Sequence, residues 1–431
     1  MKLLPSLVFV FLLNAAVFAQ NADPLDGHLL DGRWTITATD GFGINRGDSI
    51  TLTYGFVADG TPVAANGLPD ENSSLVAFLD AGFGETTTSA DLTQRSWFPI
   101  FEETFDRYAA ISGLNFAYEP NDDGARVDGV VSNFNDLGSL NTVADVRIGG
   151  RSIDGQSGTN ALAFNYFPIA GDMVLDTDNI VLFGSDTLAF RNVIAHEFGH
   201  GLGIEHPLSN SEDFLLEPFL NTAFNGPQHS DILALHRGYG DFLEGGSGND
   251  NVNNATFLGN IDVFSGIGLD GDNTDVAITD EDFISIDGTS DVDVFSFSVT
   301  QTGILSIDLI PLGYEYDIAE QAADGTADES TRVDVNTAAL NDLEFVLLDQ
   351  DGTTVLGSGN SSGIGLVESL NNVSLAAGTY FIEVSGDDDR AQFYSLTSDF
   401  VVTAIPEPSS LLVTLLIGAA CGLRRRKRSS H

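Results

Sequence analysis

"HEFGHGLGIEH", residues 196–206, gathers three of the chain's seven histidines into one short run. Glycine occupies every second position from Gly199 to Gly203, and Glu197 follows the first histidine. On a helix, His196 and His200 stand about 40° apart in projection and about 6 Å apart in rise, so both project from one face. They can grip one ion at the ~2.0–2.1 Å that a zinc-bound imidazole nitrogen requires. Gly203 can adopt a backbone conformation closed to other residues, which ends the helix and turns the chain. That turn brings His206 back as a third ligand. Three neutral imidazoles leave the fourth tetrahedral position to water, the open arrangement of a catalytic site rather than a structural one. Glu197 then faces the water as a general base instead of binding the ion. Each helical glycine costs roughly 1 kcal/mol against alanine, a cost that close approach of neighbouring chain or substrate would justify.

Outward from this run, "SDTLAFRNVIAHEFGHGLG" (185–203) reads as one helix with Ser185 or Asp186 as its cap. "WFPIFEETFDRYAAISG" (97–113) spaces Trp97, Phe101, Phe105, Tyr108 and Ile111 at three and four residues, an amphipathic helix ending at Gly113. "GPQHSDILALHRGYG" (226–240) is the closing helix, with His229 and His236 expected on its exposed face. Alternation in "RWTITAT" and "SITLTYGFV" predicts strands, as do "LNFAYE", "ADVRIGG" and "ALAFNYF". Strands with three helices make residues 20–243 an α+β domain. His28 and His431 lack any comparable spacing and receive no role, and none is given to His229 or His236.

A Gly/Asn/Asp stretch, residues 244–255, is expected as a linker. Residues 256–402 then alternate through "DVFSFSVT", "GILSIDLI", "DLEFVLLDQDG", "GTYFIEVSG" and "AQFYSLTSDFVV", the pattern of an all-β sandwich. Residues 313–340 read as an acidic insertion within it.

The chain has 431 residues, enough for two or three domains with their own cores. Its 63 acidic residues against 17 basic ones give a net charge of −46. Such a surface repels nucleic acid and anionic lipid and attracts cations, calcium among them. The only cysteine is Cys421, so no disulfide forms within the chain, and stability must come from core burial and bound metal.

Both ends read as addresses. "MKLLPSLVFVFLLNAAVFAQ" has an early positive charge, an apolar stretch and small residues at Val17 and Ala19, a secretory signal over 1–19 cleaved after Ala19. At the other end, the apolar run Leu411–Leu423 is too short to span roughly 30 Å of hydrocarbon comfortably, and Arg424–Arg428 would hold its far side in the cytoplasm. Pro406-Glu407-Pro408, the apolar run and the basic tail, residues 405–431, closely resemble the PEP-CTERM sorting signal of Gram-negative bacteria. The resemblance implies an exosortase-type membrane enzyme as a partner, tail removal, only transient membrane contact, and delivery to the cell surface or extracellular matrix. A permanent tail anchor is the alternative.

The spacing HExxHxxGxxH resembles the metzincin signature, and "RNVIAHEFGHGLGIEH" looks most like the matrixins, the matrix-metalloprotease group. The resemblance covers residues 48–241 and implies a zincin-like fold: a twisted mixed sheet with three helices. It implies a zinc endopeptidase acting on protein or peptide substrates. Carried over residue by residue, Leu162 and Ala163 would lie along the substrate on an edge strand, and Pro218 would help shape the first primed-side pocket. Asp154 and Asp176 sit at the family's calcium-loop positions. Departures accompany these matches. Leu216 stands where a metzincin has its turn methionine, a volume-conserving change worth under roughly 1.5 kcal/mol. Phe164 and Val174 stand where the family's structural-zinc histidines would be, and no upstream cysteine exists for a cysteine switch. "DVDVFSFSV", "LLDQDGTTV" and "AGTYFIEV" resemble bacterial pre-peptidase C-terminal domains over about 249–402. A competing reading is a non-catalytic surface or matrix adhesin that carries the zincin fold.

Overall fold

The computed structural model describes residues 22–65, 68–131, 137–154, 161–178, 187–260 and 283–403. The segments read as an export signal and a sorting tail lie outside them, as do Ser185 and Asp186. Among the described residues no helix is long and apolar enough to cross a membrane.

The first half is built on a five-stranded sheet: β1 (Ile50–Phe56), β2 (Leu114–Tyr118), β3 (Val146–Arg151), β4 (Ala163–Asn165) and β5 (Met173–Asp176), in the order β2-β1-β3-β5-β4. The first four of that row run parallel; β4, at the edge, pairs antiparallel with β5. Among the described residues four helices accompany it: α1 (Leu75–Gly82), α2 (Phe98–Ala110), α3 (Thr187–Gly201) and α4 (His229–Tyr239).

Helix α2 forms as its spacing predicts. Trp97, Phe101, Phe105, Tyr108 and Ile111 are all buried, and Phe105 packs against Tyr54 of β1 with ring centroids 4.3 Å apart. Two expectations change. Helix α1 is a fourth helix among the described residues, where three were expected. "RWTITAT" contributes only the two-residue strand Ile36–Thr37, because the chain reverses at Asp40 and pairs Thr37 with Gly41.

The second half is a two-sheet sandwich. Its strands are β6 (Thr256–Asn260), β7 (Ser285–Ile286), β8 (Val292–Val299), β9 (Gly303–Pro311), β10 (Glu315–Ile318), β11 (Val333–Asn336), β12 (Leu343–Leu348), β13 (Val355–Gly359), β14 (Glu368–Leu375), β15 (Gly378–Gly386) and β16 (Gln392–Val402). One sheet runs β6-β8-β15-β12-β13 and the other β7-β16-β9-β14. Inward residues such as Phe295, Leu305, Ile307, Phe345, Ile382 and Leu396 make its core. The hairpin β10–β11 comes from the segment read as an insertion. It leaves the sandwich and lies on the first half: Tyr316 and Ile318 join the apolar core around α3 and α4, and the Tyr316 hydroxyl donates to the carbonyl of Gly27.

The last helix is therefore covered on both sides, and His229 and His236 are buried rather than exposed. Nε2–H of His236 donates to the carbonyl of Ile111 at 2.7 Å, which leaves Nδ1 to accept from the Ser285 hydroxyl at 2.8 Å. Nε2 of His229 meets the Thr337 hydroxyl at 2.9 Å, and the Phe393 ring lies 5.1 Å from each imidazole. Burial lowers the pKa of both, His236 to about 4 and His229 to about 3. They are neutral packing groups. The stretch read as a linker is also tied down: the Asn249 amide donates to Asp293 at 2.8 Å, and Val294 N–H to the Asn249 carbonyl at 2.8 Å.

Candidate metal centre

Helix α3 is buried on nearly every side, the situation of a core helix rather than a surface one. Its glycines answer to close neighbours. A Cβ at Gly199 would lie 2.8 Å from the Leu216 side chain, and one at Gly201 2.7 Å from the Asn165 amide. Gly203 has φ +101° and ends the helix, its N–H donating to the His200 carbonyl at 2.9 Å. The chain then runs beside residues 29–31. Glu205 N–H donates to Leu29 and Asp31 N–H to Gly203, both at 2.9 Å.

This path brings the three histidines together. The Nε2 atoms of His196, His200 and His206 lie 3.0–3.2 Å from one another. Each Nδ1 faces an oxygen: Leu215 carbonyl at 2.8 Å for His196, Ile204 carbonyl at 2.6 Å for His200, and Gln321 Oε1 at 2.8 Å for His206. A carbonyl only accepts, so Nδ1 carries the hydrogen and Nε2 presents a lone pair. Burial lowers the pKa of all three, to about 4 for His196, to about 3 for His206 and well below the usual value for His200. Three neutral lone pairs converging at this spacing repel one another unless a cation lies among them. Tetrahedral zinc at its usual bond length sets donors roughly 3.3 Å apart. The donor set fits zinc.

Glu197 is buried beside them, and neither of its carboxylate oxygens has a hydrogen-bond partner among the described residues. Burial raises its pKa well above the usual carboxylate range. A narrow cleft opens there, lined by His196 and Glu197 with Asn192, Val193, Leu215, Leu220 and Asn221. Such a layout supplies a Lewis-acid position, a proton acceptor and an apolar-walled cleft.

The other expected site residues fall as follows. Leu216 is fully buried against Gly199, and its N–H and that of Leu215 donate to the Asp231 carboxylate at 3.2 and 2.8 Å. Leu216→Met should therefore shift stability by less than about 1.5 kcal/mol and leave zinc content unchanged, checked by calorimetry and metal analysis. Leu162 and Ala163 lie at the edge of the sheet, and both residues are buried. Pro218 is buried and does not line the cleft; Leu215 and Leu220 of the same loop do. Phe164 and Val174 pair across β4 and β5 and pack with Val57, Val63 and Val127. Asp176 accepts from the backbone N–H of Ile153 at 3.0 Å and of Asp178 at 3.1 Å, and Asp154 from that of Ala161 at 2.9 Å. Neither joins a set of ligand atoms close enough to hold an ion among the described residues.

Sequence reasoning missed a second acidic cluster at the junction of the halves, where ligand oxygens of Glu244, Asp291 and Asp293 lie within 4.8 Å of one another. Burial first, and the Asp293 charge next, raise the pKa of Glu244, Asp291 and neighbouring Asp241. Groups raised in this way hold protons in the folded state that the unfolded chain has already released. Their stabilising contribution is complete below about pH 4 and is lost as pH rises through the raised values. In chelator, the melting temperature should fall between pH 5 and pH 8, and Asp291→Asn should flatten that fall. An unchanged slope in the variant would remove the cluster as its cause.

Three histidines that could hold a metal ion thus stand beside a buried glutamate whose oxygens have no hydrogen-bond partner among the described residues. Residues 85–240 match the matrixin family model, a group of metallopeptidases that use zinc, and all four residues of the centre lie inside the match. No curated protein matches the sequence. Among solved structures, the pre-peptidase C-terminal domain of a collagenase from Bacillus anthracis is similar at 16% identity and a TM-score of 0.21, covering 34% of this chain and 94% of that one.

Proposed function

We propose that this chain is an exported zinc endopeptidase, with His196, His200 and His206 holding the ion and Glu197 as general base. The observation that carries the reading is the convergence of three Nε2 lone pairs within 3.0–3.2 Å beside a buried carboxylate with no hydrogen-bond partner among the described residues. Zinc, when bound, polarises a carbonyl and lowers the pKa of an adjacent water. Glu197 takes a proton from that water as it attacks the scissile carbonyl, and passes it to the departing amine. Its desolvated carboxylate is a stronger base than one in water. The edge position of strand β4, at Leu162 and Ala163, is where this reading places an extended peptide, by strand addition. Leu215 and Leu220, next to Pro218, supply an apolar wall for a substrate side chain.

The terminal segments support export and surface delivery through an exosortase-type enzyme. Calcium belongs to the same proposal at Asp154 and Asp176. Burial pushes Asp176 up to about 6, and the charges of Asp178 and Asp154 add to that, so this loop concentrates negative charge.

Purified protein tests the reading through its zinc content and a casein zymogram with and without chelator. Stoichiometric zinc and chelator-sensitive clearing are expected. Protein without zinc that shows no clearing would overturn the proposal in favour of an adhesin.

A further inference from the structure

Two of the three metal-facing histidines are steadied by carbonyls of the first half. The third is steadied from the second half, by a side chain 115 residues downstream. We propose that Gln321 is a positioning residue for the third zinc ligand, so that the metal centre is completed by the β-rich half of the chain; this rests on the zinc reading above.

The contact is part of a short antiparallel pairing. Leu208 N–H donates to the Ala319 carbonyl at 2.9 Å, and Ala319 N–H returns a bond to Leu208 at 3.0 Å. In that register His206 lies opposite Gln321, and Asn210 opposite Asp317. Alternate residues of paired strands share a face, so three cross-pairs form one ladder. At the far rung the Asn210 amide donates to the Asp317 carboxylate at 2.7 Å. Arg332, the residue before β11, clamps that rung, ion-paired to Asp317 and donating to the Leu208 carbonyl at 3.3 Å.

Gln321 is held on its own side as well. It bridges Ala327, and its Nε2 donates to the Gly325 carbonyl at 3.2 Å. That bond fixes which end of the amide points where: Nε2 toward Gly325, Oε1 toward His206. An acceptor fixed opposite Nδ1 selects the tautomer in which Nε2 is bare, and it sets the ring plane. Partners of this kind behind a metal-bound histidine typically change metal affinity by 10–100-fold when removed. Apolar packing could hold the β10–β11 hairpin in place without any such effect. What singles out Gln321 is an acceptor atom aimed at a ring nitrogen.

The test is zinc affinity of the full chain, by competition with a chelating dye, in wild type, Gln321→Leu and Gln321→Glu, with melting of the metal-free proteins in parallel. Gln321→Leu keeps the bulk and removes the acceptor; it should bind zinc 10–100-fold more weakly while its metal-free melting temperature stays within a few degrees of wild type. Gln321→Glu keeps an oxygen at that position and should restore affinity to wild type or better. Wild-type affinity in Gln321→Leu overturns the proposal, and so does equal loss in both variants, which would make the residue mere packing. A wild-type chain that takes up no zinc overturns the zinc reading itself, a result read separately from the variants.

Discussion

Glu197→Ala leaves zinc content unchanged and lowers casein turnover by roughly 10²–10⁴-fold, the span that a positioned acid–base group supplies. Zinc is retained because the three donors are imidazoles, each backed by an oxygen that Glu197 does not provide. Turnover falls because, among the described residues, no other acidic side chain lines the cleft with it. The alanine variant should also melt no lower than wild type, since it removes a buried carboxylate whose oxygens have no hydrogen-bond partner among the described residues. Metal analysis, calorimetry and initial rates on one preparation check all three. Undiminished turnover with zinc in place would refute Glu197 as the base.

The second large effect is expected at Gly203. Gly203→Ala should lower stability by on the order of 3 kcal/mol and the melting temperature by roughly 6–12 °C, with loss of bound zinc. Two independent costs combine. The residue has φ +101°, where an L side chain is strained, and the added Cβ would overlap the carbonyl oxygen of Gly32. Relief requires the turn or residues 30–32 to move, and His206 follows the turn by three residues. A melting temperature within 2 °C of wild type would show that the turn tolerates a side chain.

The histidine-bearing helix and its turn were legible because helix geometry and glycine's freedom leave few ways to arrange His196, His200, Gly203 and His206. Leu216 could be placed from its distance beyond the histidines, and it packs on Gly199. Helix α2 declared itself through its aromatic spacing. Helix α1 was missed although Ser73 and Ser74 precede its apolar run. It is eight residues long and its N-cap side chain makes no capping bond, so little periodicity is available to read. His229 and His236 were misread for a different reason. Polar residues on one face of a helix look solvated unless one knows that a second sheet packs there. Gln321 had no local signal at all, being one amide in an acidic stretch. Its relation to His206 exists only in the register between two distant segments.

The apolar cluster that runs from Phe198 and Leu233 to Tyr316, Ile318 and Phe393 without a break bears on how such a chain could be rebuilt. Recombination that grafts a foreign sandwich behind residue 243 would strip the seam from α4 and leave bare the surface on which the hairpin rests. A workable chimera must keep residues 313–340 with the front half, as though that loop were an outlying piece of it encoded late in the chain.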